Sequence, residues 1–267
     1  MIECVINISQ GHDQSVIDAL SHAVGNDLLD MHSDPHHNRS VFTVVGLDAP
    51  RRLVERASQL IDVTVHSGVH PRLGAIDVVP FVPLTGSTMT DAINARNEFA
   101  QWASEQLGIP CFLYGPERSL PTIRRDAWKT LLPFTPDMAP HPTAGAICVG
   151  ARTPLIAYNL WLKDVTLEDT KKIAAAVRTD TMRTLGLQVG TFTQVSMNLI
   201  EPAISGPLDA YRAVAAHVKI HAAELVGLVP EHTLISTPKD KWEALDLSED
   251  RTIEWRLAHR GGAAQSS

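Results

Sequence analysis

Short apolar runs alternate with amphipathic segments along the first half of the chain. Residues 14–24 place apolar side chains three and four positions apart, the period of a helix that buries one face. Residues 3–8 form a short β-rich run of the kind found in strands. A longer helix is predicted over 88–107, because capping residues precede it and Gly108 and Pro110 follow it. The pattern predicts a mixed α/β chain.

Polar and proline-rich segments divide this pattern. Residues 32–40 are polar and predict a loop between a pair of strands, longer than a hairpin needs. The prolines of residues 115–142 exclude a long regular element there. Further strand and helix patterns follow, and a second unit begins near residue 178. We therefore predict units at 1–177 and 178–260 and a disordered tail at 261–267.

The His70-Pro-Arg-x-Gly turn, which leads into a dense apolar strand, carries the most chemical information. Pro71 fixes its own φ and biases His70 toward extended backbone, and Gly68 and Gly74 allow dihedral angles that other residues avoid. Histidine moves protons near neutral pH and arginine matches carboxylates, so His70 and Arg72 predict proton transfer on an anionic substrate. The alternative is a surface turn that only closes a loop.

Composition narrows the class of protein. Of 267 residues, 44% are hydrophobic and 20% are charged, as in a globular protein with a sizeable core. A formal net charge of −7 argues against a nucleic-acid partner. The sequence shows neither a signal peptide nor a run of about 18 apolar residues, so we expect a cytoplasmic protein without a membrane partner.

Metal chemistry is not predicted, although five histidines fall between residues 32 and 70. A zinc or iron site needs three or four ligands at fixed geometry, and the neighbours His36 and His37 do not easily face one ion. We interpret these histidines as exposed or substrate-facing imidazoles. The group consists of His32, His36, His37, His66 and His70.

Seven motifs in a fixed order carry a family resemblance. They are Glu3-Cys-Val-Ile-Asn-Ile-Ser-Gln-Gly11, Asn38-Arg-Ser-Val41, the stretch 66–83, Gly150-Ala-Arg152, Leu155-Ile-Ala-Tyr-Asn159, Gln194-Val-Ser-Met-Asn198 and Glu224-Leu-Val-Gly-Leu-Val-Pro230. Together they resemble the glutamate formiminotransferase family over roughly residues 3–235. The His-Pro-Arg-x-Gly-Ala-x-Asp block is the most specific of them.

The resemblance implies an α+β fold of two ferredoxin-like α/β subdomains, whose mixed sheets face each other across a substrate groove, usually in a homodimer. It implies a cytoplasmic transferase of one-carbon metabolism and histidine degradation. The reaction would move a formimino group from N-formimino-L-glutamate to tetrahydrofolate as co-substrate, with no metal and with His70 as general acid/base. The alternatives are a related transferase with another formimino or formyl donor, and a non-catalytic folate-binding protein.

The site residues that the resemblance suggests fall into two chemical groups. Because both substrates carry carboxylates, three arginines are expected to bind them by bidentate forks, and bracing salt bridges are the alternative. The arginines are Arg39, Arg72 and Arg152. Asparagine amides can bind a pterin or an amidine, or can brace strand ends. The remaining predicted binding residues are Asn7, Gly150, Asn159 and Asn198.

The chain departs from the family pattern at several places. A carboxylate of the first motif is replaced by Gln10, and an acidic position is occupied by His32. Ala144 stands in the folate-contacting segment where the family has tryptophan, and Trp161 replaces the second asparagine of an Asn-x-Asn pattern. The connection at 178–184 is shorter, which predicts restricted hinge motion between the units. We expect an altered or relaxed substrate preference, with formiminoglutamate as the leading donor.

Overall fold

The computed structural model describes residues 1–68 and 71–260 and confirms the α+β class. By their internal contacts, the residues separate into two units, Met1–Thr153 and Pro154–Ser267. Each unit has one β-sheet and its own hydrophobic core. Val69, His70 and the predicted tail at 261–267 lie outside the described residues.

The first unit contains a six-stranded sheet. Its elements are β1 (Ile2–Ile8), α1 (Gln14–Val24), β2 (Leu28–Asp34), β3 (Arg39–Val45), α2 (Asp48–Leu60), β4 (Ile76–Pro83), α3 (Met89–Leu107), β5 (Cys111–Tyr114), α4 (Leu120–Asp126) and β6 (Ile147–Ala151). The strand order is β2-β3-β1-β4-β6-β5. The first four strands and two helices have the ferredoxin-like βαββαβ order, and the parallel strands β5 and β6 extend the sheet beyond β4.

Capping explains why the predicted helices form where they do. The Asp13 carboxylate accepts the N–H groups of Ser15 and Val16 at the start of α1. Thr88 and Asp91 form a reciprocal capping box at the start of α3, and Gly108 ends that helix with a φ of 66°. Among the helices of the described ranges, none has an apolar stretch long enough to cross a membrane.

The two faces of the first sheet are covered differently. Helices α1, α2 and α3 pack on one face and bury a large core that includes Phe42, Phe81 and Phe99. On the opposite face, α4 covers a smaller cluster at the β5 and β6 end, built around Phe112 and Tyr114. Polar side chains on the remainder of this opposite face, among them Asn7 and Arg39, form the site described below.

The second unit repeats the ferredoxin-like order with four strands. Its elements are β7 (Ile156–Leu162), α5 (Leu167–Ala176), β8 (Met182–Val189), β9 (Phe192–Leu199), α6 (Pro207–Ala215), β10 (Ala222–Val226), α7 (Glu231–Ile235) and α8 (Ile253–Ala258). The strand order is β10-β7-β9-β8, and every pairing is antiparallel. The expectation of two mixed sheets therefore holds for the first sheet only, because β5 and β6 have no counterpart in the second sheet.

The boundary between the units lies earlier in the chain than the one predicted after residue 177. Strand β7 pairs with β9 and β10, so it belongs to the second sheet, and α5 packs against β8 and β9. The segment 178–184 consequently joins α5 to β8 inside the second unit, where Arg178 Nη2 donates to the Thr184 carbonyl at 2.8 Å. The prediction that this segment limits hinge motion between the units is wrong.

The loop between β2 and β3 is shorter than the predicted segment 32–40. Strands β2 and β3 continue to Asp34 and Arg39, which face each other in the ladder. The Asp34 carboxylate accepts the N–H groups of His36 and His37 and so closes a tight turn. The strand ends escaped the prediction because their side chains are polar and give no hydrophobic alternation.

Gly150 on β6 leaves space that the Tyr114 ring fills. A Cβ atom at this position would lie 2.1 Å from Tyr114 Cζ. We expect Gly150→Ala to lower the free energy of unfolding by about 1–3 kcal/mol, because the ring must move inside a packed cluster. Urea titration of the purified variant measures this.

Gly206→Ala is the matched control for this substitution. The Cβ of Gly206 would meet nothing closer than the Pro202 carbonyl oxygen at 3.8 Å. Since Gly206 caps α6 and alanine is a poorer N-cap than glycine, we expect a loss of about 0.5–1 kcal/mol. Equal losses for the two variants would contradict the packing role of Gly150.

Candidate functional site

A β-bulge in β4 positions the central carboxylate of the first unit. In the β1–β4 ladder, Asn7 faces Val78 and Ile8 faces Ile76, so Asp77 is the extra residue between two pairs. Bulges redirect a side chain, and this one places the Asp77 carboxylate on the polar part of the sheet face. The side chain is fully buried.

Two arginines and a backbone amide hold the Asp77 carboxylate. Its Oδ2 accepts Arg39 Nη1 at 2.8 Å and Arg124 Nη2 at 2.6 Å, and its Oδ1 accepts the Leu73 N–H at 2.9 Å. Burial alone would raise the pKa of this carboxyl group, but the two guanidinium charges outweigh burial and hold the pKa below its ordinary value. These contacts are those of a structural brace.

Arg72 adds a third guanidinium to this group. It is half-buried and contacts the His66 imidazole. Partial burial lowers the pKa of Arg72, and the like charges of Arg39 and Arg124 lower it further. Three guanidinium groups against one carboxylate leave an excess of positive charge. We call Arg39, Arg72, Arg124 and Asp77 the arginine cluster.

Gly68 and Gly74, on either side of His70-Pro-Arg72, are required because backbone carbonyl oxygens lie close to their Cα atoms. A Cβ on Gly74 would lie 2.3 Å from the carbonyl oxygens of Ala144 and Ala146, and one on Gly68 would lie 2.6 Å from the His37 carbonyl oxygen. Neither glycine adopts a positive φ. The conformational freedom of glycine is therefore not used for a positive φ at either position, although both positions exclude a side chain.

Three other predicted residues of this unit have contacts within the protein. Asn7 Oδ1 accepts Arg39 Nε at 3.0 Å, and its Nδ2 donates to the Val5 carbonyl at 3.1 Å. Arg152 Nη1 donates to the Thr153 carbonyl at 2.9 Å. Together with the packing at Gly150, these contacts give each residue a structural role in addition to any role in binding.

Two predicted asparagines lie on one face of the second sheet. Asn159 is almost fully buried and donates from Nδ2 to Glu224 Oε2 at 3.0 Å. Trp161 donates from Nε1 to the same oxygen at 2.9 Å. Asn198 is exposed, and its side chain has no hydrogen-bond partner among the described residues. The face opposite α5 and α6, which carries Asn159, Trp161, Gln194 and Glu224, is called the amide face below.

The predicted site residues thus divide between the units, and some participants were missed. The first unit brings Asn7, Arg39 and Arg72 into or beside the arginine cluster, and the predicted catalyst His70 lies outside the described residues. Arg124 was not predicted as a site residue. Its segment is rich in proline and shows no periodic pattern from which its position in the fold could be inferred. Glu224 was not predicted either, although the Glu224-Leu-Val-Gly motif contained it.

Residues 1–68 and 71–260 contain no group of side chains suited to bind a metal ion. No three His, Cys, Asp or Glu side chains in these ranges are grouped to hold an ion. In the first turn, the His36 and His37 backbone N–H groups are instead bound by Asp34. Because His70 belongs to the histidine group considered above, the absence of a metal stays a prediction.

Comparison with known proteins gives a consistent set of relatives. The family described as formiminotransferase domain, N-terminal subdomain, matches residues 1–152. The chain is 35% identical to the glutamate formimidoyltransferase of Streptococcus pyogenes over 95% of this chain and 97% of that protein. It is 32% identical to the protein of the same name from Thermoplasma acidophilum, over 96% of this chain and 97% of that protein.

A longer relative is matched in part of its length. The chain is 34% identical to the formimidoyltransferase-cyclodeaminase of Sus scrofa, over 88% of this chain and 51% of that protein. The match of the family to residues 1–152 ends one residue before the first structural unit ends at Thr153.

Asp77→Asn is expected to lower the free energy of unfolding by about 3–5 kcal/mol at pH 7, because two partly buried arginines lose their counter-charge. Urea unfolding measures the loss. The matched control is Asp126→Asn, whose exposed pair with Arg125 should cost at most about 1 kcal/mol. Similar losses for both variants would show that the arginine cluster contributes no more than a surface pair.

The same variant tests the pH dependence of the brace. The folded-state pKa of Asp77 lies below the ordinary value of 3.8, so its stabilisation is complete above about pH 5 and is lost as the pH falls through the folded-state pKa. Between about pH 5 and pH 2, wild-type stability should therefore decrease more steeply than that of Asp77→Asn. Parallel curves would exclude this linkage.

Proposed function

Because the chain belongs to the formiminotransferase family, we propose that this enzyme moves the formimino group from N-formimino-L-glutamate to tetrahydrofolate, giving 5-formiminotetrahydrofolate and glutamate. The observation that carries the proposal is the arginine cluster. A chain of net charge −7 concentrates three guanidinium groups around one carboxylate on a sheet face. Such an excess of positive charge favours a substrate with several carboxylates, as both proposed substrates have.

Within the arginine cluster, we assign substrate binding to Arg72 first. Arg39 and Arg124 both bind Asp77, whereas Arg72 is half-buried and its Nη1 lies 3.0 Å from His66 Nε2. Arginine presents a planar fork that matches a carboxylate. Binding roles for Arg39, Arg152, Asn7, Gly150, Asn159 and Asn198 stay proposals of the same kind.

His70 is the proposed general acid/base. Tetrahydrofolate supplies the nitrogen that bonds to the amidine carbon of the donor. His70 takes the proton that this nitrogen loses and returns it to the glutamate nitrogen as the carbon–nitrogen bond to glutamate breaks, so protons balance over the reaction. An imidazole titrates near the working pH and suits both steps.

The described residues offer groups that fit tetrahydrofolate. Its carboxylate tail matches guanidinium groups, and its pterin ring matches amide side chains. The amide face holds a buried amide, Gln194, with neither side-chain atom hydrogen-bonded to any residue in 1–68 or 71–260. We further propose a cytoplasmic homodimer that acts in histidine degradation.

A second candidate is transfer from another formimino or formyl donor. The observation that favours it is Trp161, which takes an asparagine position of the family and engages Glu224. This candidate predicts poor turnover of formiminoglutamate and good turnover of a different donor. A non-catalytic folate-binding protein would bind folate equally well with and without His70.

His70→Ala is expected to lower kcat by about two to four orders of magnitude and to leave substrate affinity nearly unchanged, as loss of a general acid/base does. Tetrahydrofolate-dependent turnover of formiminoglutamate, followed by the ultraviolet absorbance of the folate product, measures this. His22→Ala, an exposed histidine of α1, is the control and should retain the wild-type rate. An unchanged rate in His70→Ala would remove this residue from the mechanism.

Arg72→Lys should weaken binding of formiminoglutamate by about ten-fold or more, because lysine keeps the charge but loses the fork. The dissociation constant is measured by calorimetry, and the melting temperature is measured beside it. Arg56→Lys, on an exposed turn of α2, is the control for arginine replacement. A lowered melting temperature with unchanged affinity would make Arg72 a brace instead.

A further inference from the structure

The side chain of Gln194 on β9 is buried without hydrogen bonds. It is 0% exposed, and neither Nε2 nor Oε1 has a partner anywhere in the described part of the chain. A buried amide that exchanges water for no protein partner is destabilising, and native proteins rarely keep one without a use. This makes Gln194 the most unusual polar residue of the second unit.

The sheet register places Gln194 among groups that bind planar ligands. It lies directly opposite Trp161 on β7, and Asn159 lies opposite Glu224 on β10. Residues in register, and residues two apart on a strand, point to the same side of a sheet. Gln194 therefore shares the amide face with Trp161, Asn159 and Glu224.

Aromatic and carboxylate contacts fix the surroundings of this amide. Glu224 Oε2 accepts both Asn159 Nδ2 and Trp161 Nε1, which holds the indole in one orientation. The Trp161 ring meets Phe192 edge to face at a centroid distance of 6.3 Å, and Phe192 stacks on His221 at 5.0 Å. A planar ligand bound here would contact aromatic rings and could hydrogen-bond to the Gln194 amide, whose donor and acceptor are both unused.

A glutamine amide presents one donor and one acceptor side by side, and it pairs with a planar edge that carries the reverse pattern. We propose that Gln194 binds such an edge and determines specificity on the amide face, with Trp161 as a wall of the site. Two sources carry this edge in the proposed reaction, namely the pterin ring of tetrahydrofolate and the neutral N–C–N group of the formimino donor. The inference rests on the proposed function, which supplies these two ligands.

The test separates the two sources by measuring binding rather than turnover. Gln194→Leu removes both polar atoms, and calorimetry gives its affinity for tetrahydrofolate alone and for formiminoglutamate alone. We expect about a ten- to hundred-fold loss for one of the two ligands, as for the loss of a bidentate contact. The melting temperature should stay unchanged or rise, because an unsatisfied buried amide has been removed.

Two further variants serve as an alternative substitution and as a control. Gln194→Met retains an unbranched side chain of similar size and serves if Gln194→Leu does not fold. Gln101→Leu replaces an exposed amide of α3, whose Nε2 is bonded to Glu105 Oε1 at 2.9 Å, and should leave both affinities unchanged.

Each outcome has one meaning. A loss confined to one ligand supports the inference and identifies the source of the edge. Affinities that are unchanged, or reduced equally for both ligands, overturn the inference while wild-type binding upholds the proposed function. A wild-type protein that binds neither ligand overturns the proposed function and this inference together.

Discussion

The buried ion pairs of Asp77 are the interaction on which the first unit depends. A lone carboxylate is too costly to bury in an apolar interior, so it requires counter-charges that are also held in place. Arg39 comes from β3, Arg124 comes from α4, and the Leu73 N–H comes from the turn before β4. One carboxylate therefore fixes a strand, a helix and the turn within the most specific motif of the sequence.

The same two ferredoxin-like units present different chemistry on their polar faces. In the first unit the excess charge is positive, because Arg72 adds to a pair of arginines that share one aspartate. In the second unit the hydrogen-bonded polar groups at the centre of the face opposite α5 and α6 are Asn159, Trp161 and the carboxylate of Glu224. A repeated fold thus supplies one surface that suits carboxylates and another that suits N–H-bearing planar groups.

Sequence patterns predicted the elements that carry their own signals. The bounds of α1 match the prediction because its apolar side chains recur at helical spacing, and α3 begins one residue after the predicted start because Thr88 is its N-cap. The patterns failed where long-range pairing decides the outcome. Nothing local shows that β7 joins β9 rather than the first sheet, and nothing local brings Arg124 to Asp77 across 47 positions. The arginine cluster was accordingly predicted only in part.

Membership in a shared motif does not distinguish a residue that touches substrate from one that builds the site. Gly150 is explained by the Tyr114 ring, and Arg39 by Asp77 and Asn7, so their presence in motifs needs no ligand. The discriminating quantity is hydrogen-bonding capacity that the fold leaves unused. By that measure Gln194, which the motif reading did not select, is a stronger candidate for ligand contact than Asn7, whose amide oxygen and nitrogen are both engaged.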